Sequence, residues 1–360
     1  MTARAWSGAL AILALAGCSH GGGQQMHYVG GVPNAEDLVA IPGTRWIVAG
    51  GLDEPGKLTG RLTLIDRDAK TARLLFSGDS PVSADKRPSE LEGDPKCPGP
   101  LEPGKFGAHG INLRVTGPGK GTLYAVNHTG REAIELFALD WTGKEPTAVW
   151  TGCVPLPERV LGNAVAPLPD GGLAVTWMNA PEYFTGPNGR ADAKAWVPKF
   201  IAGETTGYVA SWRAGEGWKK VQGSDGSVPN GVEASPDGKW LYINLWGNQE
   251  VRRVPLGEGQ QASLTVDFMP DNIRWGDDGK LWVAGASGER KAYFACAAKP
   301  GCHNHYRIAR IDPAAMKASE IAHPDTDPDF GDATAALNVA GEVWIGSNPT
   351  DKVAWMALGK

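Results

Sequence analysis

Residues 229–246 read PNGVEASPDGKWLYINLW, and residues 270–285 read PDNIRWGDDGKLWVAG. In both, a polar side chain precedes a short apolar run, a Gly/Pro/Asp turn and a segment rich in strand-forming residues. The same order recurs in four further stretches, at 35–51, 108–128, 162–177 and 331–346. From the leading polar residue to the core of the next strand is 10 to 14 residues in every stretch. Such regular self-similarity indicates one structural unit used six times.

The leading side chains all carry polar or titratable groups. They are Glu36, Asp37, His109, Asn163, Asn230, Asp271, Asn272 and Asp332. Further strand-like runs lie between the six stretches, which gives about four strands per unit, the size of a propeller blade. Helical periodicity is nearly absent. The sequence therefore predicts an all-β fold, a six-bladed β-propeller over residues 28–360 with a polar site on its axis; a pair of β-sandwiches is the alternative.

The bulk composition agrees with many short strands and excludes one class of partner. Of 360 residues, 49 are Gly and 27 are Pro, and 42% are hydrophobic, which is enough for a buried core. The formal net charge is −5 and no run of Lys or Arg occurs, so we expect no nucleic-acid binding. We expect a monomer that acts on a small molecule.

The amino-terminal segment is typical of an export signal. Arg4 precedes an apolar run at 8–17, and the small residues before Cys18 resemble the lipobox of bacterial lipoproteins. The run is too short to span a bilayer, which takes about 20 residues. We therefore predict a lipoprotein signal peptide at 1–18 with Cys18 lipidated, and a flexible tether at 19–27. The protein would be exported and lipid-anchored, on the periplasmic side or in the outer membrane; an ordinary cleaved signal peptide or a plain membrane anchor is the alternative.

The other four cysteines are interpreted as disulfides, because exported proteins reach an oxidising compartment. Cys296 and Cys302 are close in sequence, and pairing them leaves Cys97 with Cys153. Three pairings are possible for four cysteines, and the sequence does not choose among them. A zinc site that uses His303 and His305 beside Cys302 is the alternative.

Five of the leading residues supply only carboxylate and amide oxygens. They are Glu36, Asn163, Asn230, Asp271 and Asn272. Five hard oxygen donors together with water match the six to eight ligands that calcium takes, whereas zinc prefers His or Cys. Taken singly, an Asn or Asp before a turn is more often a turn-former, and the NG at 230–231 is ordinary hairpin chemistry. The shared position of the five residues favours a calcium site on the axis.

Two histidines lie within one repeat. His109 begins a predicted strand and His128 follows the strand after it, so antiparallel pairing returns His128 to the end where His109 starts. Two neighbouring imidazoles beside a cation suit general-base activation of water, with the second orienting the first. The alternative is that one histidine caps a strand while the other packs.

Two segments interrupt the repeat. Residues 79–107 are rich in Pro, Gly and charge and are predicted to form a long loop, whereas residues 178–206 mix aromatic and polar residues. Long insertions on a rigid scaffold often shape a binding site. The candidate pocket residues are Tyr183, Phe184, Trp196, Phe200 and Asp332. A surface excursion with its own small cluster is the alternative for 178–206.

Five segments carry a resemblance to a known family. AEDLVAIP, FGAHGINLR, LYAVNHTGREAIELF, PNGVEASPDGKWLYI and PDNIRWGDDGKLWVA resemble the serum paraoxonase/arylesterase family and, more distantly, the SMP-30/gluconolactonase superfamily. The similarity runs across most of residues 30–346. It implies a six-bladed propeller that hydrolyses lactones and aryl esters with calcium, held by the five oxygen residues named above. His109 and His128 match the catalytic histidine pair, and Asp271 is the alternative base.

The resemblance also implies a second, structural calcium in the family. Its ligands would be Asp37 and the backbone carbonyl of Ile111, but the third family position, an Asp, is Ala164 here. We therefore expect one calcium, with the second in doubt.

Three functions remain open at this stage. The first is a calcium-dependent hydrolase of lactones or aryl esters, in which calcium polarises the carbonyl and the histidine pair activates water. The second is a sugar lactonase of the SMP-30 type, whose pocket should be polar. The third is a non-catalytic propeller lipoprotein that binds a ligand.

Overall fold

The computed structural model describes residues 25–52, 60–80, 91–184, 193–297, 299, 302–322, 330–348 and 350–358. Cys18, the predicted signal peptide at 1–18 and most of the tether at 19–27 lie outside these residues. Among the helices that are described, none has the length and apolarity needed to cross a membrane.

The strands follow one another in six groups along the chain. An amino-terminal strand, β1 (His27–Gly30), precedes the first group, which is β2 (Ala35–Ala40), β3 (Trp46–Gly51), β4 (Arg61–Asp66) and β5 (Thr71–Ser77). The short β6 (Glu92–Gly93) leads to the second group, β7 (Ala108–Gly117), β8 (Lys120–Asn127), β9 (Ala133–Asp140) and β10 (Thr147–Pro155). The third group is β11 (Leu161–Pro167), β12 (Leu173–Asn179), β13 (Tyr208–Arg213) and β14 (Gly217–Lys220).

The remaining groups have the same form. The fourth is β15 (Pro229–Ala234), β16 (Trp240–Leu245), β17 (Glu250–Pro255) and β18 (Ala262–Thr265). The fifth is β19 (Phe268–Trp275), β20 (Leu281–Ser287), β21 (Tyr306–Asp312) and β22 (Lys317–Ala322). The sixth is β23 (Ala333–Val339), β24 (Glu342–Ser347) and β25 (Lys352–Ala357). Alternation of buried and exposed positions is weak in the inner strands because both of their faces are covered.

Hydrogen bonding joins these strands into five sheets within the described residues, which corrects the expectation of six separate ones. Four sheets are separate blades of four or five strands, and the fifth has eight strands. The first and last groups merge in this larger sheet through one pair, Ala35 with Ser347. The fold is thus all-β and propeller-like.

The innermost strands form a closed circle. The first strand of each group contacts the first strand of the next, and the contact of β23 with β2 completes the circle. The amino-terminal β1 pairs antiparallel with β25, so an early segment of the chain supplies the outer strand of the last group. The two ends of the sheet arrangement are therefore held together by backbone hydrogen bonds.

Two α-helices interrupt the strands in the described part of the chain, although the sequence indicated almost none. They are α1 (Ala193–Ala202), within the 178–206 insertion, and α2 (Arg290–Ala297). Helices of ten and eight residues are too short to be stable alone, and packing has to stabilise them. Phe200 of α1 and Phe294 of α2 meet edge-to-face with centroids 5.3 Å apart.

Both expected cysteine pairs are disulfide-bonded. Cys97 bonds to Cys153 at 2.05 Å and Cys296 to Cys302 at 2.10 Å, so none of the four is a zinc ligand. The first bond attaches the carboxyl-terminal part of the 79–107 loop to β10, where β6 also pairs. This loop therefore includes a short strand.

Glycine lets the inner strands approach one another closely near the axis. A side chain on Gly110 would lie 2.6 Å from the Ala164 Cα, and one on Gly231 would lie 2.5 Å from the Asp271 carbonyl oxygen. Both contacts are with backbone atoms, which cannot move aside cheaply. The NG at 230–231 is therefore a packing site inside β15, which corrects its interpretation as hairpin chemistry.

Candidate metal and catalytic site

The innermost strand of every group has an irregular register, and in five of the six groups the irregularity falls at the residues that lead the repeat. In the first five groups the disturbance falls at Glu36, His109 to Gly110, Asn163 to Ala164, Asn230 to Gly231, and Asp271 to Asn272. A β-bulge turns a side chain out of the normal alternation of a strand. Six local irregularities at one level thus bring side chains from separate strands to one place. In the sixth group the irregular residue is Thr334, not Asp332.

The predicted ligands are in contact across the groups. The His109 Nε2 lies 3.3 Å from the Asn163 Nδ2 and 3.5 Å from the Glu36 Oε1. The Asn272 Nδ2 donates to the Glu36 carbonyl oxygen at 3.0 Å, and Asn230 hydrogen-bonds to the Asp271 carboxylate. All five predicted oxygen ligands are at most 9% exposed. The structure therefore brings together the whole set that the sequence assigned to one calcium.

The three asparagine amides leave their oxygens unpaired. In Asn163, Asn230 and Asn272, the buried Oδ1 has no hydrogen-bond partner within the described part of the chain. The amide nitrogens of Asn163 and Asn272 are used in the contacts above, which fixes how these groups are oriented. A buried, unsatisfied oxygen costs free energy, and three at one site call for a shared electrophile. Calcium satisfies that demand because it binds amide and carboxylate oxygens.

The carboxylate of Asp271 is harder to ionise than usual in this site. Burial first, and then the charge of Glu36, raise the pKa of Asp271 well above its usual range, while the hydrogen bond from Asn230 lowers it. Asp37 and Asp332 add further repulsion. A bound dication would relieve this repulsion. In the described residues, no three His, Cys, Asp or Glu side chains are grouped to hold a metal, so the donor set depends on the amide oxygens.

The histidines form a chain of hydrogen bonds that ends on a carboxylate. The His109 Nδ1 and the His128 Nε2 are 2.7 Å apart, and the His128 Nδ1 is 2.7 Å from the Glu132 Oε2. Glu132 accepts a hydrogen bond from the N–H of the His128 Nδ1. The His128 Nε2 is then left to accept a hydrogen bond from the N–H of the His109 Nδ1. The lone pair of His109 then lies on Nε2, beside Glu36 and Asn163. Sequence reasoning missed Glu132, because one carboxylate in a turn has no periodic signature.

The oxygens assigned to a second calcium are already occupied by a guanidinium, which corrects that assignment. Arg274 forms a buried ion pair with Asp37 and donates to the Ile111 carbonyl oxygen, both through Nη2. Ala164, at the third family position, has no side-chain donor. Two oxygens that already serve an internal cation do not fit a calcium site as well.

Of the candidate pocket residues, Trp196 and Phe200 lie near the site. They belong to an aromatic cluster with Trp246, Tyr293 and Phe294, and Met178 joins this cluster to Asn163 through a 3.6 Å contact. Burial first, and then the charges of Asp332, Asp271 and Glu36, raise the pKa of Tyr293, which places its phenol near the carboxylates. Tyr293, which lies in α2, was not among the site residues predicted from the sequence.

The other pocket candidates contact different parts of the protein, and one of them, Asp332, lies beside the site. Tyr183 donates to the Asp225 Oδ1 at 2.5 Å and packs on Tyr208 of the third group. Phe184 is buried and its carbonyl accepts from Arg159. Asp332 is 7% exposed and its carboxylate accepts from the Asn304 side chain at 2.6 Å, on the side of the site next to Asp271.

No protein-family model and no curated protein matches this sequence. Solved structures do match it. A gluconolactonase from Xanthomonas campestris is 15% identical with a TM-score of 0.54, over 93% of this chain and 90% of that chain. A luciferin-regenerating enzyme is 15% identical with a TM-score of 0.53, over 94% and 96%. A calcium-binding protein, regucalcin, from Agrobacterium tumefaciens is 12% identical with a TM-score of 0.51, over 93% and 94%. At these identities the likeness shows that this chain has the all-β, propeller-like fold of those proteins.

Proposed function

We propose that this protein is a calcium-dependent hydrolase of lactones or aryl esters. The observation that carries the proposal is the set of three unpaired, buried amide oxygens beside two carboxylates and the His109 Nε2. A ligand-binding scaffold needs neither the unsatisfied oxygens nor an imidazole held by a second imidazole and a carboxylate. The likeness to a gluconolactonase and to regucalcin supports both the lactone and the calcium.

Glu36, Asn163, Asn230, Asp271 and Asn272 would hold the calcium. When bound there, it would act as a Lewis acid that polarises an ester carbonyl and offsets the negative charge of the attack. The amide nitrogens and the backbone bulges keep these side chains in position before substrate arrives, so little reorganisation is needed during reaction.

His109 is the proposed base. Its Nε2 carries the lone pair and faces the ligand set, so it can take a proton from water that attacks the carbonyl carbon. His128 accepts from the His109 Nδ1 and stabilises the imidazolium that forms, and Glu132 orients His128 from behind. The protonated His109 then returns its proton to the departing alkoxide or phenoxide, which completes hydrolysis.

Aromatic residues near the site favour an apolar acyl or aryl group on the substrate. The partly buried rings of Trp196 and Phe294 pack against each other and against the fully buried Phe200, which makes this side of the site apolar. A sugar lactonase is the second candidate, and the likeness to a gluconolactonase supports it. The two candidate enzymes differ in their substrate and share the proposed calcium ligands and catalytic histidines.

We infer that the eight-stranded sheet acts as two blades, which together with the four separate ones make six around the site. Among propellers of the SMP-30 type, we place the chain near the paraoxonase/arylesterase family. The segment that ends in Cys18 supports export and lipid anchoring, and we also propose that the protein is a monomer.

The experiment is a substrate screen on the purified protein. γ-Lactones, δ-lactones, gluconolactone and phenyl acetate are tested with calcium and with EDTA. We expect calcium-dependent hydrolysis of at least one apolar lactone or ester, and a loss of roughly 10²- to 10⁴-fold in His109→Gln. Preference for gluconolactone would favour the second candidate, and the absence of hydrolysis of every substrate would exclude both enzymes.

A further inference from the structure

A second layer of polar side chains lies among the inner strands, three residues further along each strand than the residues that lead the repeat. Arg274, Glu233 and Asn112 each follow a leading residue of the repeat by three positions, after Asp271, Asn230 and His109. All three are at most 8% exposed. The regular offset means that the same repeat that builds the ligand set also places these groups together.

Arg274 joins four of the six strand groups. Its Nη2 pairs with Asp37 and bonds to the Ile111 carbonyl oxygen, as described above. In addition, its Nη1 donates to the Ile273 carbonyl oxygen at 2.7 Å and its Nε donates to the Leu38 carbonyl oxygen at 3.3 Å. Glu233 lies 3.5 Å from Nη1. The guanidinium thus contacts oxygens from β2, β7, β15 and β19. Bonds of this kind between separate strands are what a structural metal would otherwise supply.

Hydrogen bonds already use most of the lone pairs of the carboxylates in this layer. The Asp37 Oδ1 accepts from the Leu38 amide and its Oδ2 from the Ile111 amide, both at 2.8 Å, in addition to the guanidinium. Glu233 accepts from the Ala234 amide at 3.1 Å and from Asn112 at 3.3 Å. Calcium needs six to eight oxygens, and a guanidinium already in place would repel it.

From these contacts we infer that Arg274 is a built-in replacement for a metal ion: its guanidinium holds the inner strands together at the Asp37 and Ile111 oxygens and excludes a second calcium. The inference goes beyond the proposed hydrolase, since it concerns metal content and stability. Removing the guanidinium should convert the layer into a cation site formed by Asp37, Glu233 and the Ile111 carbonyl.

Ions can reach this layer from outside. A cavity of about 660 Å³ is lined by Arg274, Glu233 and Asn112, and it extends to the turns that follow the inner strands, at Pro42 and Pro236. These turns lie at the strand ends opposite to the leading residues. A cation added to an Arg274 variant therefore has an aqueous route that does not pass through the proposed active site.

The test measures bound calcium per chain by equilibrium dialysis of the whole protein. Wild type should bind one ion, and two would overturn the inference. If wild type binds no calcium, the proposed calcium site is contradicted, but the inference stands because no metal is bound at Asp37. In Asp271→Ala/Asn230→Ala, which disables the first site and keeps Arg274, we expect no bound calcium. One ion in this variant, with its circular dichroism intact, would place a metal at Asp37 and overturn the inference.

Two further variants remove or keep the positive charge at position 274. Arg274→Ala should gain one calcium over wild type, and added calcium should raise its Tm by several degrees. Arg274→Lys keeps a cation and should gain none. A folded Arg274→Ala that binds no additional calcium would contradict the inference. If Arg274→Ala does not fold, the count in the double variant decides the question.

Discussion

At the scale of single residues, the site is defined by atoms that lack partners and by one chain of hydrogen bonds. The leading residues of the repeat could be predicted from the sequence, because a fixed offset from a strand core marks them. Arg274 and Glu132 could not. An arginine before a Gly-Asp turn looks solvent-exposed, and a glutamate after a His-Thr-Gly turn looks like a solvated loop residue. The register of the folded strands brings Arg274 to its partners, and the conformation of the turn between β8 and β9 brings Glu132 to His128.

Glu132 should act through His128 and not through the substrate. We expect Glu132→Gln to lower kcat by roughly 10- to 100-fold, because His128 is no longer held in the tautomer that accepts from His109. The base limb of the pH–rate profile should shift while calcium affinity stays at the wild-type value. Glu145→Gln, an exposed glutamate that pairs with Arg73 on the surface, is the control and should change neither. An unaltered kcat in Glu132→Gln would remove Glu132 from the mechanism.

Glu233 should make stability depend on pH. Burial raises its pKa from 4.5 to about 7, although Arg274 opposes the shift. The unfolded chain therefore releases this proton at lower pH than the folded one. This contribution to stability is complete below pH 4.5 and is lost as pH rises towards 7.

Glu233→Gln tests this dependence, since glutamine keeps an acceptor for Asn112 and does not ionise. Measured by denaturant unfolding in EDTA, the free energy of unfolding of wild type should fall more between pH 4.5 and 7 than that of the variant. Parallel curves for the two proteins would show that Glu233 has no raised pKa.

At the scale of elements, bulges in the inner strands are the feature that turns a structural repeat into a site. The strands themselves follow from runs such as LYINL and LWVAG between turn residues, which is why their positions could be predicted. The bulges could not, because bulged and regular strands share the same composition. The helices α1 and α2 were also missed, since aromatic packing between them, not periodicity, makes them stable.

Close approach of β15 to β19 should be required for the site. In Gly231→Ala, the added Cβ would lie 2.5 Å from the Asp271 carbonyl and 2.8 Å from the Asn272 Cα. We expect a loss of about 1–3 kcal/mol in the free energy of unfolding and weaker calcium binding, because both neighbours are proposed ligands. Gly257→Ala, where a Cβ meets nothing within 4 Å, is the control. Equal stability of the two variants would mean that the strands have room to separate.

At the scale of the whole molecule, a circle of inner strands closed by the contact of β23 with β2 holds the layer of proposed calcium ligands and a second polar layer around Arg274. The all-β propeller-like class was predictable from the repeat and the turn residues. The merging of the first and last groups into one sheet was not, since it depends on a single backbone pair between Ala35 and Ser347. Likewise, the packing of the 178–206 insertion decides which aromatic residues approach the site.

The most direct test of the calcium hydrolase is the initial rate of lactone or ester hydrolysis by protein stripped with EDTA, measured before and after calcium is restored. We predict a rate near background when stripped and full recovery with calcium, as the unpaired oxygens of Asn163, Asn230 and Asn272 regain a ligand. Stripped protein that hydrolyses its substrate at the full rate would contradict this account.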